Sequence, residues 1–436
     1  MEWLPRYELG VAPDTIFALS SGRPPAAISI IRVSGPDAHR AAIGIAGDLP
    51  AARTAAVREL KHPLSGELLD EGLVLRFDAP ASSTGEDIVE FHCHGGRAVV
   101  DSLLEAFGTI EGLRPALPGE FTRRSFENGR IDLTEAEGLA DLIAAETESQ
   151  RKAALALAEG GLRKQVALWQ EGMLALSAQA ERTIDYDEDD EKVDLSLLDE
   201  CDRLASELQH WVDQPRIEPL KDGVLVVVAG PPNVGKSSLI NAIAGEERAI
   251  VTDIPGTTRD HIEVPLSLGG VPVRLTDTAG LREATDIVEA IGVERSGKLV
   301  DAADVLVWLG ERTDAPEHRR ILFVHAKCDL PARGKAPTGS GGVSSATGEG
   351  LGELVRSIEK LAREVLPAED AITLNRRQAL HIAEAASALR DAASAQDVVI
   401  VAENLRLARS AFDRLTGRAG VEDVLDALFG RFCLGK

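Results

Sequence analysis

The stretch GVLVVVAGPPNVGKSSLINAI, residues 223–243, joins an apolar run to a glycine-bounded loop and then to a helical pattern. Gly230, Gly235, Lys236 and Ser237 satisfy the motif G-x-x-x-x-G-K-[ST], whose loop points backbone N–H groups at phosphate oxygens. The lysine adds a positive charge, and the serine hydroxyl can bind Mg²⁺. Because a strand-like run precedes the loop and a helix follows it, we interpret it as a triphosphate site and not as a chance glycine-rich turn.

Length and composition indicate a soluble protein of two to four domains. The 436 residues are 44% apolar and 27% charged. We find no uncharged apolar stretch of about 18 residues and no basic-then-apolar N-terminal signal, so we expect a cytoplasmic protein without membrane contact. A net charge of −24 disfavours broad nonspecific binding to nucleic acid. Any RNA contact is therefore predicted to be local or to depend on a partner.

Metal and disulfide signals are weak. The four cysteines are Cys93, Cys201, Cys328 and Cys433. They are too scattered for a disulfide framework or a Cys-x-x-Cys zinc site, so we expect reduced thiols. The HCH triplet at 92–94 puts two imidazoles on one face of a strand, but it lacks a second ligand pair for a metal. The acidic run at 185–191 is interpreted as a solvated turn between helices, with a metal-binding cluster as the alternative.

The pattern along the chain predicts a multidomain fold that combines α/β and all-α parts. Residues 15–117 alternate short β-like runs with helical patterns. Helical spacing dominates residues 133–210, with Thr134 as predicted N-cap and Glu137 three residues later, and it resumes after residue 370. The segment between alternates strands with helices, which predicts a mostly parallel sheet covered on both faces. The two helical blocks are predicted to form one discontinuous bundle interrupted by this insertion.

Three charged residues lie inside or beside apolar runs of the first segment. Arg32 interrupts AISIIRV, Glu90 lies in DIVEF, and Arg130 ends a turn. Buried or half-buried charges need partners. These side chains either pair with one another, which is a structural role, or line a pocket for a polar cofactor.

Two motifs downstream of the phosphate loop predict γ-phosphate contacts. DIPGTTRD offers Thr258 as a second hydroxyl ligand for Mg²⁺, in a loop that a γ-phosphate can order. DTAG places Asp277 near the metal and Gly280 where its N–H can reach the γ-phosphate. Leu281 follows, where many GTPases have a water-orienting glutamine, so another group must place the attacking water.

Two further motifs predict guanine recognition. AKCD ends with Asp329, which can accept hydrogen bonds from guanine N1–H and N2–H₂, and Ser345 with Ala346 completes the base pocket. Ala326 replaces the asparagine that begins this motif in most GTPases. Losing one hydrogen bond predicts nucleotide binding weaker by about 1 kcal/mol. The four ordered motifs predict a P-loop GTPase and resemble the translation-factor-related class.

The motifs outside the GTPase segment carry a closer resemblance. IIRVSGPDA, TGEDIVEFHCHGG, PGEFTRRSFENGRIDLTEAE and the terminal FCLGK, with the GTPase motifs between them, resemble the MnmE (TrmE) family of tRNA wobble-uridine modification GTPases over essentially the whole chain. The resemblance implies four segments: 1–125, an N-terminal α/β tetrahydrofolate-binding and dimerisation domain; 126–219, the first part of a helical domain; 220–368, the inserted GTPase domain; and 369–436, the second helical part with FCLGK.

The resemblance also implies an activity and partners. Potassium-activated GTP hydrolysis would drive dimerisation of the GTPase domains and a conformational change. The joint reaction would add a carboxymethylaminomethyl or aminomethyl group to carbon 5 of wobble uridine 34, with one carbon from 5-formyl- or methylene-tetrahydrofolate. The partners would be a second copy of the chain, the FAD-containing MnmG in a heterotetramer or larger complex, and tRNA.

Family positions transfer residue by residue. The folate contacts fall on Arg32, Glu90, Arg130, which replaces a lysine, and Lys436. Potassium ligands fall on Asn233, Thr252, Ile254 and Thr257. Glu289 matches the water-positioning glutamate and Cys433 the candidate nucleophile; the alternatives are a helix-surface charge and a buried apolar filler. The full set of predicted nucleotide contacts is Asn233, Val234, Gly235, Lys236, Ser237, Ser238, Thr252, Thr257, Thr258, Asp277, Thr278, Ala279, Gly280, Lys327, Asp329, Ser345 and Ala346.

Two other functions compete with this one. A ribosome-assembly GTPase switch that binds RNA would need a basic RNA-binding module after the GTPase segment, where this chain has a helical block. A folate aminomethyltransferase would leave the intact phosphate loop without a purpose.

Overall fold

The structure, a computed structural model, describes residues 14–186, 194–246, 263–277, 297–368, 371–419, 422–430, 432 and 435. The chain divides into two compact units, one of Met1–Ala140 with Asp413–Lys436 and the other of Asp141–Phe412. The four predicted segments remain a prediction about domain boundaries. Among the described residues, no helix is long and apolar enough to cross a membrane.

The first unit is built on a six-stranded sheet in the order β3-β4-β5-β2-β1-β6. All neighbouring strands are antiparallel except β1 and β6, which are parallel. Its elements are β1 (Thr15–Leu19), β2 (Ile28–Ser34), α1 (Ala38–Ala46), β3 (Ala56–Lys61), β4 (Leu68–Phe77), β5 (Ile88–His94), α2 (Arg97–Gly108), β6 (Leu113–Pro115), α3 (Glu120–Glu127) and the start of α4 (Leu133–Ala144).

Strand alternation divides this sheet into two faces. Ile31, Val33 and Phe91 are fully buried and pack with apolar residues of α1 and α2, including Phe107. The intervening residues of β2 and β5 are half-buried and point to the opposite face. Residues such as Arg32 and Glu90 therefore lie on the face that α1 and α2 do not cover.

Helix α4 begins two residues earlier than its predicted cap. The Asp132 carboxylate accepts hydrogen bonds from the Glu135 backbone N–H at 2.9 Å and the Thr134 hydroxyl at 2.7 Å. Glu135 in turn accepts from the Asp132 N–H at 2.8 Å, which completes a capping box. The prediction of Thr134 as N-cap is therefore wrong, because the helix already begins at Leu133 and the Thr134 hydroxyl donates to the Asp132 cap.

The C-terminal residues of the chain belong to this first unit. Helix α13 (Glu422–Phe429) packs on α3, and Arg123 forms an ion pair with Asp426 at 2.9 Å. Phe429 and Phe432 are buried in an apolar cluster with Phe126. The end of the chain is thus fastened to the N-terminal sheet unit by both apolar packing and charge.

The second unit contains the predicted parallel sheet, in the order β12-β11-β10-β7-β9-β8. Only β8 is antiparallel to its neighbour. Its elements in chain order are α5 (Glu148–Ala158), α6 (Gly161–Tyr186), α7 (Leu195–Asp213), α8 (Glu218–Asp222), β7 (Val224–Ala229), α9 (Lys236–Glu246), β8 (Glu263–Leu268), β9 (Val271–Asp277), β10 (Val305–Trp308), β11 (Ile321–Ala326), β12 (Gly341–Val343), α10 (Leu351–Arg363), α11 (Arg376–Ala393) and α12 (Val398–Thr416).

Both faces of this sheet are buried. One face packs against α9 and α10, and the other buries Val227, Leu306 and Ala303. That arrangement explains why the strands read as continuous apolar runs, as expected of a parallel sheet covered on both sides.

The helical blocks on either side of the sheet form one bundle, as predicted. Helix α7, which precedes the sheet, packs along α11, which follows it. Trp169 of α6 stacks edge-on against Trp211 and lies 5.8 Å from the Phe412 ring. Capping boxes at Thr147 and Asn375 begin α5 and α11.

Candidate nucleotide and folate sites

The phosphate loop between β7 and α9 has the geometry that the motif predicts. Gly230 and Gly235 adopt φ values of 145° and 113°, which favour glycine. A Cβ at Gly230 would lie 3.2 Å from Leu309, so the loop is also packed tightly. Lys236 is 7% exposed, and its Nζ donates to the carbonyls of Gly230 at 3.0 Å and Pro231 at 2.9 Å. The ammonium is therefore held over the concave side of its own loop.

The predicted Mg²⁺ ligand Ser237 meets Asp277, which was predicted to lie near the metal, beside this loop. The Ser237 hydroxyl donates to Asp277 Oδ2 at 2.5 Å. Ser237 opens α9, while Asp277 ends β9, whose pairing with β7 in parallel register brings the two together. A hydroxyl and a carboxylate are hard oxygen ligands of the kind Mg²⁺ prefers, so the donor set fits the metal.

A lysine ties the base-recognition loop to the phosphate loop. Lys327 Nζ donates to the Asn233 carbonyl at 2.9 Å, and both residues have positive φ, 60° and 61°. A Cβ at Gly235 would lie 3.4 Å from Lys327 Cε, so the lysine stem also covers the loop. The buried Ala326 cannot supply the usual amide, yet the two loops remain connected through its neighbour. We did not anticipate this connection from the sequence.

The remaining base-pocket residues lie on two adjacent loops. Ala326 of β11 pairs with Val343 of β12, which places Asp329 and the loop after β12 on the same edge of the sheet. The fully buried Ser344 hydroxyl accepts from the N–H groups of Ala346 at 3.3 Å and Thr347 at 3.2 Å. Asp329 is exposed and Ser345 half-buried. Ser344, which the motif analysis omitted, therefore shapes the loop that carries the predicted contacts.

The exposure of the other phosphate-loop residues is consistent with nucleotide contact. Asn233, Ser237 and Ser238 are exposed, whereas Val234 is buried in the sheet core. Several predicted site residues lie outside the described ranges: Thr252, Ile254, Thr257, Thr258, Thr278, Ala279, Gly280, Leu281, Glu289, Cys433 and Lys436.

In the first unit, the structure brings two of the predicted folate residues together. Arg32 Nε and Nη2 donate to Glu90 Oε1 at 3.0 and 2.8 Å, across the β2–β5 pair. The Arg32 guanidinium lies 5.6 Å from the centroid of the buried Phe121 ring. His92 Nε2 lies 3.5 Å from Glu90 Oε2. Arginine, carboxylate and imidazole thus form one polar row on the sheet face that α1 and α2 leave uncovered.

Arg130 is exposed, and its contacts lie apart from those of Arg32 and Glu90. Its backbone N–H donates to the Ser125 carbonyl at 2.8 Å. Its side-chain stem lies beside Gly85, where an added Cβ would be 3.3 Å from Arg130 Cγ. The loop that contains TGED (residues 84–87) and the turn that contains ENGR (residues 127–130) are therefore in contact, close to the start of β5.

The buried arginine of this region is one that sequence reasoning missed. Arg124 is 8% exposed and donates to Glu86 at 3.1 and 3.2 Å and to Glu120 at 3.1 Å. Ser34 donates to Glu86 at 2.8 Å. Arg114, bound to Glu120 at 2.6 and 2.8 Å, lowers the pKa of that carboxyl to about 2, against the raising effect of burial. The charged residues of the motifs TGED and PGEFTRR thus have in part a structural role, because they form this buried network.

The HCH triplet does not form a metal site among the described residues. His94 Nδ1 lies 2.8 Å from Asp70 Oδ1, whereas His92 faces Glu90. The Cys93 side chain is buried on the opposite face, and burial raises the pKa of its thiol to about 11. The imidazoles therefore pair with carboxylates on neighbouring positions.

Comparison with known proteins covers both units. Residues 15–130 match the family described as GTP-binding protein TrmE N-terminus, and residues 133–433 match the MnmE helical domain. The tRNA modification GTPase MnmE of Erythrobacter litoralis is 49% identical, over 97% of this chain and 100% of its own length. The chain belongs to the MnmE family. The MnmE of Zymomonas mobilis is 48% identical over the same shares of both chains.

The family assignment confirms the resemblance drawn from the motifs. A TrmE-type N-terminal domain, an MnmE helical domain and a P-loop GTPase sheet account for the elements described above. Among solved structures, the G domain of the T. maritima FeoB iron transporter is 27% identical, covering 32% of this chain and 98% of that chain at a TM-score of 0.23.

Proposed function

We propose that this MnmE family member is the GTP-hydrolysing subunit of a complex that modifies carbon 5 of wobble uridine 34 in tRNA. The observation that carries the proposal is the phosphate loop with its paired Ser237 and Asp277, in a chain that matches tRNA modification GTPases along its length. The chain is a GTPase. The added group would be aminomethyl or carboxymethylaminomethyl, with a folate one-carbon unit as the source.

The described residues take distinct roles toward GTP. The loop N–H groups and Lys236 bind and orient the phosphates. Ser237, with Thr258, would hold Mg²⁺, which stabilises negative charge on the phosphates when bound. Asp329 selects guanine, and Lys327 fixes the base loop against the phosphate loop. The remaining proposed contacts are Val234, Gly235, Ser238, Asp277, Thr278, Ala279, Gly280, Ser345 and Ala346.

Potassium is proposed as an activator because no glutamine follows DTAG. Asn233 is exposed at the crest of the phosphate loop with a left-handed φ of 61°, which directs its side chain away from the sheet core. Thr252, Ile254 and Thr257 would complete the ligands. A monovalent cation there supplies positive charge beside the phosphates, and Glu289 would orient the attacking water.

Folate is proposed to bind at the polar row of the first sheet. Arg32 and Glu90 offer a planar cation and a carboxylate on the face opposite α1 and α2, which fits a ligand with ring N–H groups and carboxylates. Arg130 and Lys436 would add positive charge.

The position of the chain end supports a role for Cys433 in the same site. Phe432 is buried in the cluster with Phe429, and Gly435, with φ of 90°, is so close to Leu19 that an added Cβ would lie 2.0 Å from the Leu19 carbonyl. Leu19 pairs with Ile31, the neighbour of Arg32. The described residues on either side of Cys433 thus both lie in the first unit, with Gly435 beside a strand that pairs with the strand of Arg32.

Partners follow from the charge and the family. A second copy of the chain, an FAD-containing MnmG and tRNA are the proposed partners, in the cytoplasm. A net charge of −24 is consistent with sharing the tRNA with a partner.

Two variants test the proposal in cells that lack the native protein. Lys236→Ala should lower GTP turnover of the purified chain by about a hundredfold or more, since one charge-stabilising donor is lost, and should abolish wobble-uridine modification measured by nucleoside mass spectrometry. Cys433→Ser should retain GTP turnover and lose the modification. Full modification by Cys433→Ser would remove the thiol from the mechanism, and full modification by Lys236→Ala would overturn the link to GTP hydrolysis.

The potassium proposal has its own measurement. GTP turnover should rise steeply when K⁺ replaces Na⁺ in the wild type, and Asn233→Ala should remove the difference. Equal turnover of the wild type in both salts would eliminate Asn233 as a cation ligand.

A further inference from the structure

The short helix α8 lies where the chain passes from the helical bundle into the GTPase sheet. At its start, the Ile217 N–H donates to the Leu374 carbonyl at 3.2 Å. The Glu218 carboxylate accepts from the Arg376 N–H at 2.6 Å. The first turn of α8 is therefore held to the segment that begins α11.

The other end of α8 is held by the first helical block. Gln150 Nε2 of α5 donates to the Lys221 carbonyl at 3.1 Å, and Lys221 Nζ forms an ion pair with Asp141. Leu220 is 5% exposed. A five-residue helix has little stability of its own, so its position depends on these partners.

Arg274 of β9 connects α8 to the GTPase sheet. Its Nε donates to the Gly223 carbonyl at 3.4 Å, and its Nη1 donates to Glu263 Oε2 at 3.1 Å. Gly223 has φ of 87°, and an added Cβ would lie 3.1 Å from Arg274 Cγ. Arg274 thus contacts both the end of α8 and the first residue of β8.

The same strand ends at the nucleotide site. Asp277 lies three residues after Arg274, a span of about 10 Å along a strand. β9 is paired on both sides, with β7 and with β8, over these residues. A strand held in this way moves as a unit, so a displacement at Asp277 also displaces Arg274.

We propose that Arg274 is a positioning residue that couples the occupant of the Ser237–Asp277 site to the helical bundle through α8. A change between GDP and the hydrolysis transition state shifts β9, Arg274 carries the shift to Gly223, and Gln150 passes it from α8 to α5. The inference rests on GTP hydrolysis by this chain and is independent of folate, potassium and tRNA chemistry.

Hydrogen–deuterium exchange of the full chain tests the coupling. Wild-type protein is compared with GDP alone and with GDP plus aluminium fluoride, an analogue of the transferring phosphoryl group. We expect the exchange rates of amides 217–223 to differ between the two states. In Arg274→Met that difference should be lost, while GTP turnover stays within about twofold of wild type because Arg274 touches no substrate.

Arg312→Met is the matched control. Arg312 also donates to a backbone carbonyl, that of Gly339, at 2.5 Å, but in loops near the opposite edge of the same sheet. This variant should keep the nucleotide-dependent difference at α8. Loss of the difference in both variants would reveal a general effect of destabilising the sheet and would overturn the specific role of Arg274.

A second variant tests the direction of the coupling from the helical side. Gln150→Glu removes the Nε2 donor to the Lys221 carbonyl, keeps the side-chain oxygen that completes the capping box of α5, and leaves the sheet intact. The difference should persist at amides 217–223 and disappear in α5. A wild type without any difference at α8, or an Arg274→Met variant that retains it, would refute the proposal.

Discussion

The two sheets of this chain present their candidate sites in different ways. In the parallel sheet both faces are buried, so the nucleotide residues collect in loops at the ends of β7, β9, β11 and β12. In the antiparallel sheet, Arg32 and Glu90 lie in mid-strand on the face opposite α1 and α2, where Arg32 contacts Phe121 of α3. An end-of-strand site combines short contiguous motifs from several loops, whereas a face site uses single residues that strand register brings together.

The two sites also differ in the interactions that fix the positions of their residues. The nucleotide loops depend on backbone conformation at Gly230, Gly235 and Asn233. The candidate folate face rests beside a network of buried charges around Arg124. Damage to one site should therefore leave the other intact.

The largest effect is expected from the buried network. Glu86→Gln leaves Arg124 with Glu120, a carboxylate that Arg114 also binds, so we expect the first unit to lose about 3 kcal/mol of unfolding free energy. Chemical denaturation followed by exchange of β5 amides measures the loss, with Glu67→Gln, an exposed carboxylate before β4, as control. GTP turnover under native conditions should not change; a fall in turnover with folded protein would show that the two sheets are not independent.

A pH dependence follows from Glu120 in the same network. Its pKa is lowered from an ordinary 4.5 to about 2, so the folded state prefers the charged form. Its stabilisation is complete above about pH 4.5 and is lost as the pH falls toward about 2. Glu120→Gln should flatten the fall in stability of the first unit across this window. An unchanged acid limb in the variant would assign the pH dependence to other carboxylates.

The attachment of α13 is tested by two glycines with similar backbone. Gly119 and Gly129 have φ of 70° and 67°, but a Cβ at Gly119 would lie 2.2 Å from the Phe429 carbonyl, whereas Gly129 faces open space. Gly129→Ala should cost about 1 kcal/mol from backbone strain alone. Gly119→Ala should cost about 1–3 kcal/mol more, because α13 must move. Faster proteolysis within 413–436 in Gly119→Ala alone would confirm the contact; equal rates would contradict it.

The smallest effects concern the link between the nucleotide loops. Lys327→Met removes a charged hydrogen bond to the Asn233 carbonyl, so GDP binding should weaken by about tenfold. Ala326→Asn restores an amide and should tighten GDP binding by about 1 kcal/mol or less. Calorimetric titration of GDP into both variants measures these two changes in affinity. A variant at 327 with wild-type affinity would show that the lysine contact does not support the site.

The sequence allowed a nucleotide site to be predicted because its residues fall in short motifs at the ends of strands. Lys236, Ser237 and Asp277 lie in motifs whose spacing is fixed by strand and helix geometry, and the strands of the parallel sheet were visible as apolar runs. The resemblance also predicted Arg32 and Glu90 as site residues. Their direct pairing remained one of two alternatives, since residues 58 positions apart meet only through the register of β2 and β5.

Other features escaped prediction for physical reasons. Arg124 and Glu86 belong to a network that joins α3 to the loop before β5, and burial of a charge cannot be read from local pattern. Asp132 and Thr134 are both acceptable caps, and the choice depends on where the chain turns after α3. Lys327 was named as a nucleotide contact, but its contact with Asn233 follows from the meeting of two loops.

The pairing of α7 with α11 has a consequence for how the protein folds during its synthesis on the ribosome. About 160 residues, including the whole parallel sheet, separate the end of α7 at Asp213 from the start of α11 at Arg376. At typical synthesis rates, about 10 to 30 s pass between the synthesis of α7 and that of α11. During that time the apolar side of α7 lacks this partner. The last helix of the GTPase segment ends at Arg363, before α11 begins, so the sheet can fold before α11 is complete and bring residues 217 and 374 together. Folding of the GTPase sheet would thus determine when α7 and α11 can pair and complete the helical bundle.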